Sequence, residues 1–222
     1  MSDTRDRILD AAERLFGEQG YAATSLRHII AEAGVNLAAI HYHFGSKEEL
    51  LEELVARVAD PVNAARTALL DRFEAETGGA PVAVEKILEG FLRPAAEMGH
   101  KHPGSVKLMG RLYGEGLMPS LVERHFKPTG KRFVNALRRA LPGIPDQEFF
   151  WRIDFMIGAM AHAMIRTQAI GQVLRTNGAG SGETGEASAP AVPAGRLASL
   201  IAFLSAGFRA AVPKTEEIEV RK

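Results

Sequence analysis

The sequence predicts an all-α protein with two parts: a small N-terminal three-helix unit, residues 1–60, and a larger C-terminal helical domain, residues 61–212. Apolar residues recur at helical spacing along nearly the whole chain. Helix start and stop signals follow one another closely within the first part. No segment shows the alternation typical of strands, and no internal repeat is found. At 222 residues and 46% hydrophobic composition, the chain can bury a proper core.

The first two helices are predicted from apolar stripes and a glycine stop. The stripe of the first helix consists of Ile8, Leu9, Ala12, Leu15 and Phe16. Thr24 is predicted to cap the second helix, because a hydroxyl accepts a hydrogen bond from a free N–H of the first turn. Gly34 is predicted to end it, because glycine readily takes the left-handed conformation that follows a helix.

A short third helix is predicted within GVNLAAIHYHFGSKEEL. Asn36 is expected to cap it, and it spans roughly residues 37–44. Ser46 and Glu49 form a capping box that begins the fourth helix, which Pro61 is expected to perturb or end. A helix of two turns buries little apolar surface. We therefore expect it to be exposed for contact with a partner.

The second part is predicted to be helical but less regular. GGAP and HKHPGS separate helices as turns at 78–81 and 100–105. Pro128 and Gly130 are expected to interrupt the helical pattern around them. PGIPD then opens a helix so apolar on all sides that we expect it to be buried on most of them.

The remaining segments differ sharply in composition. Residues 176–195 are rich in Gly, Ser, Ala and Pro, which predicts a flexible loop. Apolar residues at helical spacing predict a last helix at 195–211. The tail, 213–222, is predicted to be disordered.

Composition and charge exclude several classes of protein. The chain contains no cysteine, so disulfides and thiolate metal sites are excluded. It shows neither a signal peptide nor an apolar run that could cross a bilayer, so we expect a cytoplasmic protein without membrane contact. Net charge is zero, and residues 1–60 carry six Arg and Lys against eleven Asp and Glu. Any nucleic-acid contact must therefore be local, with weak binding to random sequence.

We find no residues for an enzymatic reaction, a metal or a cofactor. GSGETG at 180–185 has the spacing of a dinucleotide motif but lacks the preceding strand and following helix. His41 and His43 are two positions apart and point in different directions on a helix. His100 and His102 lie in a turn without obvious acidic partners.

The unit from Ser25 to Phe44, a helix followed by a glycine turn and a short helix, is typical of a helix-turn-helix. RILDAAERLFGEQGYAATSLRHIIAEAGVN and IHYHFGSKEELL closely resemble the TetR family of bacterial transcription regulators. The resemblance covers about the first 55 residues. It implies an N-terminal helix-turn-helix DNA-binding domain and a C-terminal domain for ligand binding and dimerisation. The expected partners are a second copy of the chain, palindromic double-stranded operator DNA and a small-molecule effector.

The DNA-contacting residues are predicted from side-chain chemistry at these positions. Hydroxyls, a phenol and an ammonium suit phosphates, whereas small apolar groups suit thymine methyls. Asn36 either reads a base or only caps, and Arg27 either contacts DNA or forms an exposed ion pair. His41 replaces an aromatic residue common in the family, and His43 is expected to be hydrogen-bonded near the helix end. The complete predicted set is Thr24, Ser25, Arg27, Asn36, Leu37, Ala38, Ala39, His41, Tyr42, His43 and Lys47.

The C-terminal part also resembles the fatty-acid-responsive PsrA-like branch, through RLYGEG and EFFWRIDFMIGAMAHAMIRTQAI. Its methionines could line an elongated apolar cavity or be ordinary core. Arg111 and Arg152 are candidates to hold a carboxylate or a coenzyme A phosphate, although Arg152 could pair with Glu148 or Asp154 instead. The predicted ligand-binding set is Met109, Arg111, Leu112, Tyr113, Phe126, Trp151, Arg152, Phe155 and Met156.

These features predict a dimeric transcription regulator, a repressor released by a long-chain fatty acid or acyl-CoA. One alternative is a regulator of drug efflux or stress genes that senses a planar hydrophobic compound, or a cation held by Asp154 or Glu115. The other is a helical small-molecule-binding protein without a DNA function. The acidity of the first 60 residues is its only support.

Overall fold

The structure is a computed structural model that describes residues 4–164 and 194–213. The predicted all-α fold is confirmed: these ranges contain helices and no strand. The helices are α1 Thr4–Gln19, α2 Leu26–Ala33, α3 Leu37–Phe44, α4 Lys47–Glu76, α5 Val84–Lys101, α6 Pro103–Gly114, α7 Met118–Leu121, α8 Lys127–Ala140, α9 Asp146–Met164 and α10 Ala194–Arg209, with a π-helical turn at Val122–Phe126. Residues 176–193 of the predicted loop and residues 214–222 of the predicted tail lie outside the described residues.

Most local signals in the first 50 residues form the contacts that the sequence predicts. Gly34 ends α2 in the left-handed region, with φ 62°. The Asn36 side chain accepts a hydrogen bond from Ala39 N at 2.9 Å. Ser46 Oγ accepts from Glu49 N at 3.0 Å, and Glu49 Oε2 accepts from Ser46 N at 3.1 Å, which completes the capping box. These bonds fix where the short α3 begins and where α4 starts.

The prediction that Thr24 caps α2 is wrong. Ser25 is the cap, and its hydroxyl accepts from His28 N at 3.3 Å. Thr24 is 1% exposed, and its hydroxyl donates inward to Gly20 O at 2.8 Å and Leu15 O at 3.3 Å. Thr24 thus ties the turn before α2 to the end of α1, and its hydroxyl does not reach the protein surface.

Replacing Thr24 with Val is expected to lower the free energy of unfolding by about 1–2 kcal/mol, because two buried carbonyls lose a shared donor. Urea denaturation measures the change. Thr77→Val is the matched control. The Thr77 hydroxyl also donates to a carbonyl, Glu74 O at 2.9 Å, but at the half-buried end of α4. Equal losses in the two variants would contradict the structural role given to Thr24.

Pro61 does not end the fourth helix, because α4 runs through it from Lys47 to Glu76. Pro61 is exposed, while Val58 and Val62 on either side of it are buried. Packing of the flanking turns compensates for the missing N–H. The predicted boundary at residue 60 therefore falls inside a continuous helix, roughly 45 Å long, that belongs to both parts of the protein.

Pro128 and Gly130 do not interrupt the helical path at their own positions. Pro128 lies in the first turn of α8, where a missing N–H is tolerated. The irregularity lies upstream, in the π-helical turn, where Lys127 N donates to Val122 O. A widened turn gives space to a proline ring that would otherwise clash with the preceding turn.

The described residues contain two hydrophobic cores. The first lies among α1–α4 and includes Leu108 and Leu112 of α6 and Leu121 of α7. The second joins α4, α5, α8, α9 and α10 around residues such as Phe73 and Phe149. Because α6 and α7 pack into the first core, the second part of the chain is in direct contact with the N-terminal unit.

The expectation that the apolar α9 is buried on most sides is wrong for a single chain. Phe150, Trp151 and Phe155 are 53%, 49% and 69% exposed. Phe203 of α10, which packs beside α9, is 72% exposed. We call these four residues the aromatic face. Exposed aromatic side chains of this kind are typical of surfaces that contact another molecule.

Candidate functional site

Helix α3 buries only one side. Ile40 and Phe44 are buried in the first core, at 0% and 5% exposure. Leu37 and Tyr42 are 51% and 85% exposed. The remaining predicted contact residues of α3 are exposed, except Ala39 and His43, which are half-buried. The helix therefore presents a narrow, mostly apolar surface with one phenol at its end.

The end of α3 is fixed by His41 and not by His43. His41 Nδ1 is 2.9 Å from Gly45 O. No hydrogen bond of His43 occurs in the described part of the chain, and its ring lies edge-on to Tyr42 with 5.1 Å between centroids. The predicted helix-end bond was thus assigned to the wrong histidine. Asn36 caps α3 as described above, and its predicted contact with a base stays a prediction.

Lys47 is anchored at the first turn of α4. Its ammonium donates to Tyr21 O at 2.6 Å and lies 4.1 Å from the centroid of the Tyr21 ring. Burial lowers the pKa of Lys47. Burial, followed by a hydrogen bond to Glu48, raises the pKa of Tyr21 to about 12. The Lys47 side chain is half-buried, so it is held in one place but not sealed inside the fold.

Most arginines of the N-terminal unit form hydrogen bonds or ion pairs with other residues of the protein. Arg7 donates to Ala33 O and Gly34 O at the end of α2. Three others form ion pairs: Arg5 with Glu53, Arg14 with Glu32, and Arg57 with Asp10 and Glu13. Arg27 is exposed on α2 and forms no ion pair or hydrogen bond within the described ranges. The alternative in which Arg27 forms an ion pair with another residue of the protein is therefore not observed in these ranges.

Helix α6 is bonded directly to the N-terminal unit. Ser105 Oγ donates to Glu13 Oε1 at 2.8 Å. Near the other end of α6, Arg111 donates to Gln19 O at 3.2 Å, and Glu115 accepts from Tyr21 N at 3.0 Å. Arg111 also pairs with Glu115 at 3.2 Å, so its predicted role as an anion ligand is not supported. These contacts connect α6 to the same Tyr21 that holds Lys47.

The π-helical turn is bonded to α4 at two places. Glu52 pairs with His125 Nε2 at 2.7 Å and with Arg124 at 2.8 Å. Further along α4, Asn63 Nδ2 donates to His125 O at 2.7 Å. Movement of this turn would therefore act on α4, the helix that starts directly after α3.

The structure does not bring the predicted ligand-binding residues together. Met109, Leu112 and Phe126 pack with the first core, whereas Met156 lies in the second. Tyr113, like Trp151 and Phe155, is largely exposed. Arg152 is 6% exposed and bonds to Glu148 at 2.7 Å and Phe208 O at 2.8 Å, so the alternative of an internal ion pair is the one observed.

The sequence analysis did not identify Arg66, a buried arginine beside the second core, as a candidate ligand-binding residue. Arg66 of α4 is 4% exposed, and burial lowers its pKa to about 10. Its Nε donates to Phe91 O at 2.9 Å, and its guanidinium lies 3.9 Å from the Phe91 ring centroid. Spacing along α4 could have found it: Val62, Arg66 and Leu70 follow one another at i+4, on one stripe that faces the core.

Comparison with known families agrees with this architecture. Residues 8–54 match the sequence model "Bacterial regulatory proteins, tetR family", and residues 87–207, more than half of the chain, match "Tetracyclin repressor-like, C-terminal domain". The chain belongs to the TetR family. Its members are transcription regulators and not enzymes, as the sequence predicts.

Individual relatives are similar over limited stretches. LmrA, an HTH-type transcriptional regulator of Bacillus subtilis, is 42% identical over 79 residues, 35% of this chain and 40% of its own length. AcrR of Shigella flexneri is 48% identical over 52 residues, 23% of this chain and 24% of its own. The aligned part thus spans less than half of these two relatives. KstR2, an HTH-type transcriptional repressor of Mycolicibacterium smegmatis, is 26% identical over 147 residues, 65% of this chain and 67% of its own.

Solved structures of TetR regulators share the fold over nearly the whole chain. A TetR regulator from Shewanella sp. PV-4 superimposes with a TM-score of 0.63 at 18% identity, covering 91% of this chain and 96% of its own. PfmR from Thermus thermophilus gives 0.56 at 20% identity, covering 94% and 100%. None of the helices in the described ranges has the length and apolarity needed to cross a membrane.

Proposed function

We propose that the protein is a homodimeric transcription regulator that binds palindromic operator DNA through α3, the recognition helix. The exposure of α3 carries this proposal. Leu37 and Tyr42 face outward from a helix whose start is fixed by the Asn36 cap. Exposed apolar groups at the start of such a helix suit base edges in the major groove, and the phenol at its end suits a phosphate.

The aromatic face supports the two-fold assembly. One short helix contacts too few base pairs for operator-level affinity, whereas two helices about 34 Å apart read a palindrome. The exposed aromatic side chains on α9 and α10 have the character of the apolar centre of a protein interface. Pairing these two helices with their mates around a two-fold axis would build a four-helix interface.

The effector is proposed to be a hydrophobic compound such as a long-chain fatty acid or acyl-CoA, acting on a repressor in the cytoplasm. The buried Arg66 within the second core supports an anionic head group. The cationic-drug alternative has less support, because Glu115 already bonds to Tyr21 and Arg111. Asp154 is exposed beside the aromatic face.

The route to DNA release is proposed to run through α6 and α4. An effector weakens DNA binding only if it prefers the state with poor operator affinity, and couplings of this kind are about 1–3 kcal/mol. The bonds of α6 to Tyr21, and of the π-helical turn to Glu52, connect the second part of the chain to the α3–α4 junction. A shift of either element would change how the two recognition helices are spaced.

A gel shift with the intergenic DNA upstream of the gene tests the proposal. The purified protein is expected to shift this DNA specifically, and addition of oleate or oleoyl-CoA is expected to release it. Failure to shift any candidate operator would contradict the DNA function. A stable shift that neither lipid changes would contradict only the identity of the effector.

Replacing Lys47 with Ala is expected to weaken binding to all DNA sequences alike and to flatten the salt dependence by about one unit, because one phosphate contact is lost. Fluorescence anisotropy at several salt concentrations measures both effects. Lys107→Ala, an exposed lysine on α6, is the control with an unchanged salt slope. If Lys47→Ala leaves the salt dependence of DNA binding unchanged, Lys47 contacts no DNA phosphate and only bonds to Tyr21.

A further inference from the structure

The buried guanidinium of Arg66 has no anionic partner in the described part of the chain. Only Nε has an oxygen acceptor, Phe91 O at 2.9 Å. The acceptor found for Nη2 in the described residues is the sulfur of Met160 at 3.9 Å, which is a weak acceptor. Within residues 4–164 and 194–213, Arg66 forms no ion pair with a carboxylate. A buried charge is costly unless it is paired, so this arrangement calls for a partner.

Arg152 shows how the same protein treats a buried arginine with a structural role. It is 6% exposed, about as buried as Arg66, and it pairs with Glu148 at 2.7 Å. A second nitrogen donates to Phe208 O at 2.8 Å. Its charge is neutralised by a residue one helical turn away, whereas the positions one turn from Arg66, Val62 and Leu70, are apolar.

A second polar atom next to Arg66 also lacks a partner. Asn63 lies three residues earlier on α4, a spacing that places side chains on one face. Its Nδ2 donates to His125 O at 2.7 Å, but its Oδ1 is buried without a hydrogen-bond partner. Two neighbouring polar groups are therefore incompletely satisfied, at the junction of α4 with α5, α9 and the π-helical turn.

We propose that Arg66 is the anchor for the carboxylate of a free fatty acid or another long apolar acid. This inference rests on the proposed hydrophobic effector and narrows it. A carboxylate offers two oxygens in one plane, which match the two Nη groups of a guanidinium. Phe91 and Met160 beside it are apolar, as the chain of such an acid requires. A thioester has no carboxylate, so the site selects the free acid over acyl-CoA.

The test compares three probes on the full-length protein: oleate, oleyl alcohol and oleoyl-CoA. Isothermal titration calorimetry is expected to show at least tenfold tighter binding of oleate than of the other two. Arg66→Gln is expected to bind oleate and oleyl alcohol equally. Equal affinities in the wild type, or a preference for oleate that survives in Arg66→Gln, would overturn the inference while leaving a lipid effector in place.

Thermal unfolding of the ligand-free protein gives an independent result. Arg66→Gln is expected to keep or raise Tm, because it removes an unpaired buried charge. Arg152→Gln is the matched control. It is expected to lower Tm by about 5 °C or more, because it leaves the Glu148 carboxylate without its cationic partner. A comparable fall in Tm for Arg66→Gln would show that Arg66 stabilises the fold, and it would overturn the inference. If none of the three probes binds, the lipid effector itself fails, and the anchor role of Arg66 fails with it, whatever Tm the variant shows.

Discussion

Replacing Phe155 with Glu is expected to convert the dimer into monomers and to lower operator affinity by about a hundredfold or more. Phe155 is the most exposed residue of α9 within the aromatic face. In a two-fold interface each substitution occurs twice, so two carboxylates would be buried among aromatic side chains. A monomer carries one recognition helix and contacts only half of a palindrome.

Sedimentation equilibrium measures the assembly, and fluorescence anisotropy on a full palindrome and on a half-site measures the affinity. Tyr113→Glu is the matched control, since Tyr113 is an aromatic residue of α6 that is 46% exposed outside the aromatic face. It introduces the same charge and is expected to leave the dimer intact. A dimeric Phe155→Glu variant with normal operator affinity would place the two-fold interface elsewhere on the protein.

The sequence predicted best where one residue decides a local contact. Gly34, Asn36 and the pair Ser46 and Glu49 fix helix ends through bonds to residues within five positions, and all of them are confirmed. The exposure of α3 followed from its shortness. These predictions need no knowledge of which helices pack together.

The errors arose where tertiary packing decides between local options. Thr24 and Ser25 both carry a hydroxyl, and only contact with α1 makes Thr24 the buried one. Pro61 and Pro128 weaken a helix locally, but packing of the neighbouring turns maintains the helical path. The exposed aromatic residues of α9 have the composition of a core, and a sequence does not tell whether the same chain or a second copy covers them.

The candidate effector site was the least predictable part. Arg111 and Arg152 were candidate anion ligands, but Glu115 and Glu148 lie one helical turn away and pair with them. The Arg152–Glu148 pair was one of the alternatives that the sequence offered, and the same i, i+4 rule applied to Arg111 predicts its pair with Glu115. The same rule leaves Arg66 without an acidic neighbour at i−4 or i+4, which is the signal that sequence analysis overlooked.

Replacing Ala38 with Asp is expected to abolish specific operator binding, with a loss of about a hundredfold or more, while leaving the fold intact. Ala38 is exposed in the first turn of α3. A carboxylate there would face the phosphates and the base acceptors of the groove, and like charges at close range are repelled. Stability should not fall, because an acidic residue in the first turn interacts favourably with the helix dipole.

The control for Ala38→Asp is Ala68→Asp, an exposed alanine of α4 in the second domain. Because both variants add the same charge, a difference in their operator affinity reflects the position of the new carboxylate and not the net charge of the protein. Anisotropy with operator DNA is expected to show normal affinity for Ala68→Asp, and both variants should keep the wild-type Tm. Ala38→Ser should retain binding but change the preferred bases, because a hydroxyl replaces an apolar contact. Normal operator affinity in Ala38→Asp would exclude α3 as the recognition helix.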